Sequence, residues 1–140
     1  MIKSFRGKLA YGVAATQTIR LGTNQGMIGY RIKKFQILPQ NLNNSSDSNV
    51  GIWTRPQDAT SADVDFDNSE LLAMAVIYNE TYEVNSVVVF DNVTFNQDIY
   101  IDHHQQAGSD YVNYYLELEQ VKLDLNEATV ATLKDMRGSN

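Results

Sequence analysis

Two clusters in this chain carry the residue types that hold metal ions. Asp63-Val-Asp-Phe-Asp67 spaces its carboxylates like the opening of a calcium loop, where oxygen ligands converge on a hard cation. The rest of that pattern is missing. Its sixth place falls on Asn68 rather than glycine, and its twelfth on Met74 rather than glutamate. Val64 and Phe66 read instead as inward residues of a strand with an acidic outer face. His103-His104, with Asp102 and Asp110 nearby, offers imidazole and carboxylate donors. Neighbours on a strand point to opposite faces, so the pair chelates poorly. The stretch from His103 to Asp110, with Gly108, reads as a solvated loop. Glu117 and Glu119 share a strand face, a spacing that any exposed strand shows without acid–base work. No nucleophile elbow, His-Glu-x-x-His pair or phosphate loop occurs. The expectation is a protein without catalytic residues, metal or cofactor.

What remains is surface chemistry. Trp53 and eight tyrosines could build a sugar platform or a protein-contact patch. Tyrosine also simply suits half-buried strands. Of the basic residues, Lys3, Arg6, Lys8, Arg20, Arg31, Lys33, Lys34 and Arg55 lie in the first 55 positions, and most acids lie beyond Asp58. This lopsidedness favours head-to-tail contact with a charged partner, unless the two halves interleave in space and cancel it. The net charge of −6 repels phosphate backbones and argues against nucleic acid as a partner. There is no cysteine, so neither disulfides nor thiolate metal sites arise. No run of about 18 apolar residues offers a membrane span. Met1-Ile-Lys-Ser-Phe-Arg6 lacks the apolar core of a secretory signal, so synthesis in a cytoplasm is expected. The glycosylation patterns at Asn43, Asn44, Asn79 and Asn92 would need a secretory route.

The elements that must position these residues read as one domain, 1–140, long enough to bury a core without staples. Residues 2–12 form a strand with an irregularity marked by Gly7 and Gly12. Thr18–Gly22 is a short strand, and 23–26 a turn. In Ile28–Leu38, the residues Ile28, Tyr30 and Ile32 share one parity, while Phe35 and Ile37 share the other. One extra residue at Lys33-Lys34, a β-bulge, puts all five on the core side. Pro39 ends this strand. Residues 40–49 form an exposed, mobile polar loop. Val50–Arg55 is a strand. The cap-like Asp67-Asn-Ser predicts a helical turn at Ser69–Ala73 before a strand at 74–79. Val87–Phe90 and Phe95–Ile101 are strands flanking a turn.

Tyr111–Glu119 alternates cleanly. Val112, Tyr114, Leu116 and Leu118 face a core, and Tyr111 and Tyr115 face outward. Asp124-Leu-Asn-Glu127 opens a helix over 125–136 with a capping-box pattern. Val130, Leu133 and Met136 form its apolar stripe, Lys134 and Arg137 suit its C-terminal dipole, and Gly138 stops it. About eight strands separated by Gly, Asn and Asp turns give an all-β fold. The form expected is an antiparallel sandwich, jelly-roll-like, with a short C-terminal α-helix.

The segments Ile19–Gln36, Phe90–Ile101, Asn113–Leu123 and Leu133–Arg137, about half the chain, resemble small virion-associated proteins of marine tailed bacteriophages. The likeness lies in sequence texture and carries no functional residues with it. It implies a structural part of a virion, made in the host cytoplasm. That part would be a capsid decoration or cement protein, or a small head–tail or tail component. The partners implied are the major capsid protein or other virion subunits, with many copies on a lattice or a homo-oligomer. A carbohydrate-binding or adhesion module fits the same composition. The contact residues expected are Lys3, Phe5, Arg6 and Lys8 at the N-terminus, Arg31, Lys33 and Lys34 at the bulge, and Tyr111 and Tyr115.

Overall fold

The computed structural model describes residues 1–21, 27–41, 47–61, 63–80, 83–90, 92–105, 111–124, 126–127 and 129–132. Its strands are β1 (Ile2–Leu9), β2 (Gln17–Ile19), β3 (Ile28–Pro39), β4 (Ser48–Trp53), β5 (Leu71–Glu80), β6 (Glu83–Phe90), β7 (Ile99–Gln105) and β8 (Val112–Lys122). They form a three-stranded sheet, β1-β8-β3, and a five-stranded sheet, β2-β7-β4-β5-β6. Every named pairing is antiparallel. β4, β5 and β6 run in sequence, and β7 returns to lie beside β4, which is Greek-key winding.

Alternation decides what fills the space between the sheets. Leu116, Leu118 and Val112 of β8 meet Ile52, Val50, Ile99, Ile101 and Ala75 of the five-stranded sheet in one continuous core. β3 contributes Tyr30, Ile32, Phe35 and Ile37, all buried. They face the same way because the β3–β8 register slips by one residue between Ile32 and Lys34. Lys33 is the extra residue, and the expected bulge is present.

Several expected elements are placed differently. β1 ends at Leu9, and its register runs unbroken through Gly7. Gly7 is there for space rather than irregularity, since a Cβ would stand 2.9 Å from the Tyr114 ring. Residues 71–73 are strand, not a helical turn, because β5 pairs with β4 from Leu71 onward. Residues 63–67 are not a strand, and Val64 and Phe66 are exposed. Phe95 makes an isolated bridge to Tyr30 with two backbone hydrogen bonds, while the strand itself starts at Ile99. It then runs through His103, His104 and Gln105, which pair with Val50, Asn49 and Ser48 of β4. The loop expected from His103 therefore begins later, and Asp110 lies outside the described residues. The 40–49 loop gives way to strand at Ser48, and its residues 42–46 are also outside them.

The C-terminal helix is present at 126–127 and 129–132. Asp124 Oδ1 accepts the Glu127 N–H at 2.7 Å, as the capping pattern predicts. That bond holds the Asp124 carboxyl below its usual range, while its side-chain contact with Asp124 raises Glu127. Val130 is exposed, and Ala131 instead packs on Leu123, Met27 and Val121. Leu133, Lys134, Met136, Arg137 and Gly138 lie outside the described residues.

Candidate functional site

The outer face of the three-stranded sheet gathers most of the contact residues expected from sequence. β8 lies in the middle, so each of its outward residues has a neighbour on both sides. Glu119 sits between Ile2 and Arg31, Glu117 between Ser4 and Lys34, Tyr115 between Arg6 and Gln36, and Asn113 between Lys8 and Leu38. The bulge adds Lys33 to this face. Lys33 Nζ lies 3.6 Å from Glu119 Oε2, which also takes the Arg31 guanidinium at 3.0 Å. Five cations face two carboxylates here, leaving a surplus of positive charge on a chain of net charge −6.

The aromatic rings are wired into this charge. Lys8 Nζ stands 4.4 Å from the centre of the Tyr111 ring, and Lys34 Nζ 5.8 Å from that of Tyr115. Both tyrosines are exposed, as their parity requires. Beside them Leu38 is 59% exposed. The side chains of Arg6, Lys8, Gln36, Leu38, Asn113 and Tyr115 border an open depression of about 780 Å³. Its shape and lining suit an apolar knob ringed by acids.

Lys3 and Phe5 do not belong to this face. They pair with Leu118 and Leu116 and share the core-side parity of β1. Phe5 packs against the core. Lys3 Nζ lies 3.4 Å from the Tyr30 hydroxyl and 5.6 Å from its ring centre. Leu38 and Gln36 join the face unforeseen. The parity of β3 beyond the bulge was the signal for both.

A second, smaller cavity of about 200 Å³ lies on the outer face of the other sheet, beneath the β4–β5 connection. Its lining includes Trp53, Asp102, Asn49, Asp63, Asp65 and Asn68. Trp53 Nε1 donates to Asp102 Oδ1 at 2.9 Å, which builds the indole into the cavity wall. Burial pushes the Asp102 carboxyl up, against the Trp53 bond. Asp65 spends its carboxylate on a local turn, accepting the Asp67 N–H at 2.9 Å. Among the described residues, no three His, Asp or Glu side chains come together to hold a metal ion.

The two histidines part as the strand geometry demands. His104 faces outward, with Nδ1 3.1 Å from the Thr60 hydroxyl and its ring against Tyr11. His103 points into the core and is fully buried, with neither ring nitrogen hydrogen-bonded. Burial drops its pKa to about 4, against a smaller opposing pull from the Ala10 and Leu9 carbonyls. No helix among the described residues is long and apolar enough to cross a membrane.

No protein-family model, curated protein or solved structure matches this chain.

Proposed function

We propose that this chain is a non-enzymatic structural protein of a virion, most simply a capsid decoration or cement protein. It docks through the outer face of the three-stranded sheet. The observation that carries the reading is the convergence of Arg6, Lys8, Tyr115 and Leu38 on one open depression of an otherwise acidic protein, with Lys34 against the Tyr115 ring and Tyr111 against Lys8. Cations steer an acidic partner surface and set its register, while exposed aromatic and aliphatic groups supply area to bury. The resemblance to phage virion proteins supports the same role. Neighbouring capsid or virion subunits are then the partners, and the virion is the location.

The test is Arg6→Glu with Lys8→Glu, read by circular dichroism and by occupancy on undecorated capsids. The expected result is an intact fold with occupancy lost at low salt. Intact fold with undiminished occupancy would overturn the proposal. A glycan array on the native protein addresses the competing adhesion role, since Trp53 and the tyrosines are its only recruits.

A further inference from the structure

We propose that the depression on the three-stranded sheet receives the Asp63–Asp67 loop of a second copy of this chain, so that copies join head to tail. This rests on reading that face as a docking surface and names its occupant. The loop has the complementary chemistry. Phe66 is 70% exposed and Val64 40%, between three aspartates. An exposed phenylalanine set among carboxylates matches a depression bordered by Arg6 and Lys8 with Tyr115 and Leu38 in its lining, and with Lys34 beside the Tyr115 ring.

The loop is also held in shape before it meets anything. At its tip, Asp65 accepts the N–H of Asp67 with its side chain and that of Asn68 with its carbonyl. Ser61 Oγ accepts the Asp63 N–H, and the Ser61 carbonyl is tied to Asn49 of β4. On the far side, Glu70 takes the Arg55 guanidinium at 2.8 Å and the Gln57 amide at 2.9 Å. A loop braced at tip and base gives up little freedom on docking. Bracing that presents Phe66 to solvent, when it could have tucked it away, is what a contact element needs.

Geometry makes the contact intermolecular. The loop covers Trp53, Asp102 and Met74 on the outer side of the five-stranded sheet, and the depression lies on the outer side of the other sheet. The core separates them, so a loop cannot reach its own depression. Two different patches joined this way form a heterologous interface, which builds rings or open arrays.

The experiment uses two full-length variants. One alters the loop (Phe66→Ala with Asp67→Lys) and the other the depression (Arg6→Glu with Lys8→Glu). Both sets of side chains are exposed, and matching melting curves would verify the fold. Native mass spectrometry and sedimentation should show the parent protein forming rings or ladders. These should weaken as salt rises from about 0.01 M to about 1 M, where the screening length falls roughly tenfold. Each variant alone should be monomeric. Their equimolar mixture should form heterodimers and stop there, because only one intact loop and one intact depression remain per pair. A parent protein that stays monomeric, or a mixture without heterodimers, overturns the inference. If the depression variant also loses its place on capsids while the parent never self-associates, the docking reading stands and the occupant belongs to the shell. If self-assembly holds but the depression variant still decorates capsids, the depression is not the capsid-docking face and this inference stands.

Discussion

Trp53 on β4 reaches Asp102 on β7 only because Gly51 lies between them. A Cβ at position 51 would stand 2.5 Å from Trp53 Nε1, and Gly51 pairs directly with Asp102 in the sheet. The indole folds back along its own strand over that bare backbone and donates its N–H at 2.9 Å.

Gly51→Ala should therefore displace the indole and leave a buried carboxylate short of a donor. The expected loss is roughly 2–3 kcal/mol, combining overpacking with an unsatisfied group. Trp53 is the chain's single tryptophan, so urea unfolding followed by its fluorescence reads stability and environment together. Trp53→Phe, followed by circular dichroism because it has no tryptophan, should cost about 1–3 kcal/mol and raise the Asp102 pKa further, because the bond removed is the strongest of the contacts holding it down.

His103 should make the protein acid-sensitive above the range where carboxylates titrate. Its pKa is about 4 in the fold, against 6.5 ordinarily. Between those values the unfolded chain binds a proton that the folded chain refuses, so stability falls as pH drops through that window. The full loss below the folded pKa is roughly 3 kcal/mol. Asp102 works the other way. Its raised pKa lets the folded state take up a proton first, adding stability as pH falls toward the ordinary aspartate range. Urea midpoints between pH 7 and pH 4 should slope downward, and His103→Leu should flatten the slope.

The bulge gives a sharper contrast at one position. Lys33→Ala removes an exposed ammonium near Glu119 and should cost less than about 0.5 kcal/mol. Deleting Lys33 should be far worse. Without the extra residue, either Tyr30 and Ile32 or Phe35 and Ile37 must turn outward. The loss should exceed about 5 kcal/mol and leave no cooperative unfolding transition in thermal melts.

That bulge was legible because hydrophobic parity changes hand inside one strand, and the central strand β8 was legible because its alternation is unbroken. Parity also assigns Tyr111 and Tyr115 outward and Tyr114 inward. The misplacements share a cause. His103, His104 and Gln105 look like loop by polarity, yet β4 supplies the ladder that keeps them in strand. Leu71–Ala73 follow a cap-like triplet, yet pairing with β4 and β6 overrides it. Val64 and Phe66 alternate like strand residues, but Asp65 turns the chain locally by accepting the Asp67 and Asn68 N–H groups, and both apolar residues are exposed. Lys3 and Phe5 sit beside Arg6 in sequence, and only the register with β8 separates the two faces. The convergence of β1, β3 and β8 on one depression depends on strand order, which local pattern does not encode.

The depression should divide its binding work between charge and apolar contact in a way kinetics can separate. Arg6 and Lys8 line its exposed edge, where mobile cations act on approach rather than on residence. Tyr115 lies on the middle strand, between Arg6 and Gln36, where a docked side chain would bury it most fully. Arg6→Glu with Lys8→Glu should slow association strongly at low salt and have little effect near 1 M salt, where screening acts within about 3 Å. Tyr115→Ala should leave association nearly unchanged and speed dissociation about tenfold at every salt concentration, the equivalent of about 1.4 kcal/mol. Surface plasmon resonance against immobilised capsids, or against the protein itself, measures both rates. If Tyr115→Ala changed only the association rate, the ring would be serving the edge charges, through its contact with Lys34, rather than anchoring a partner.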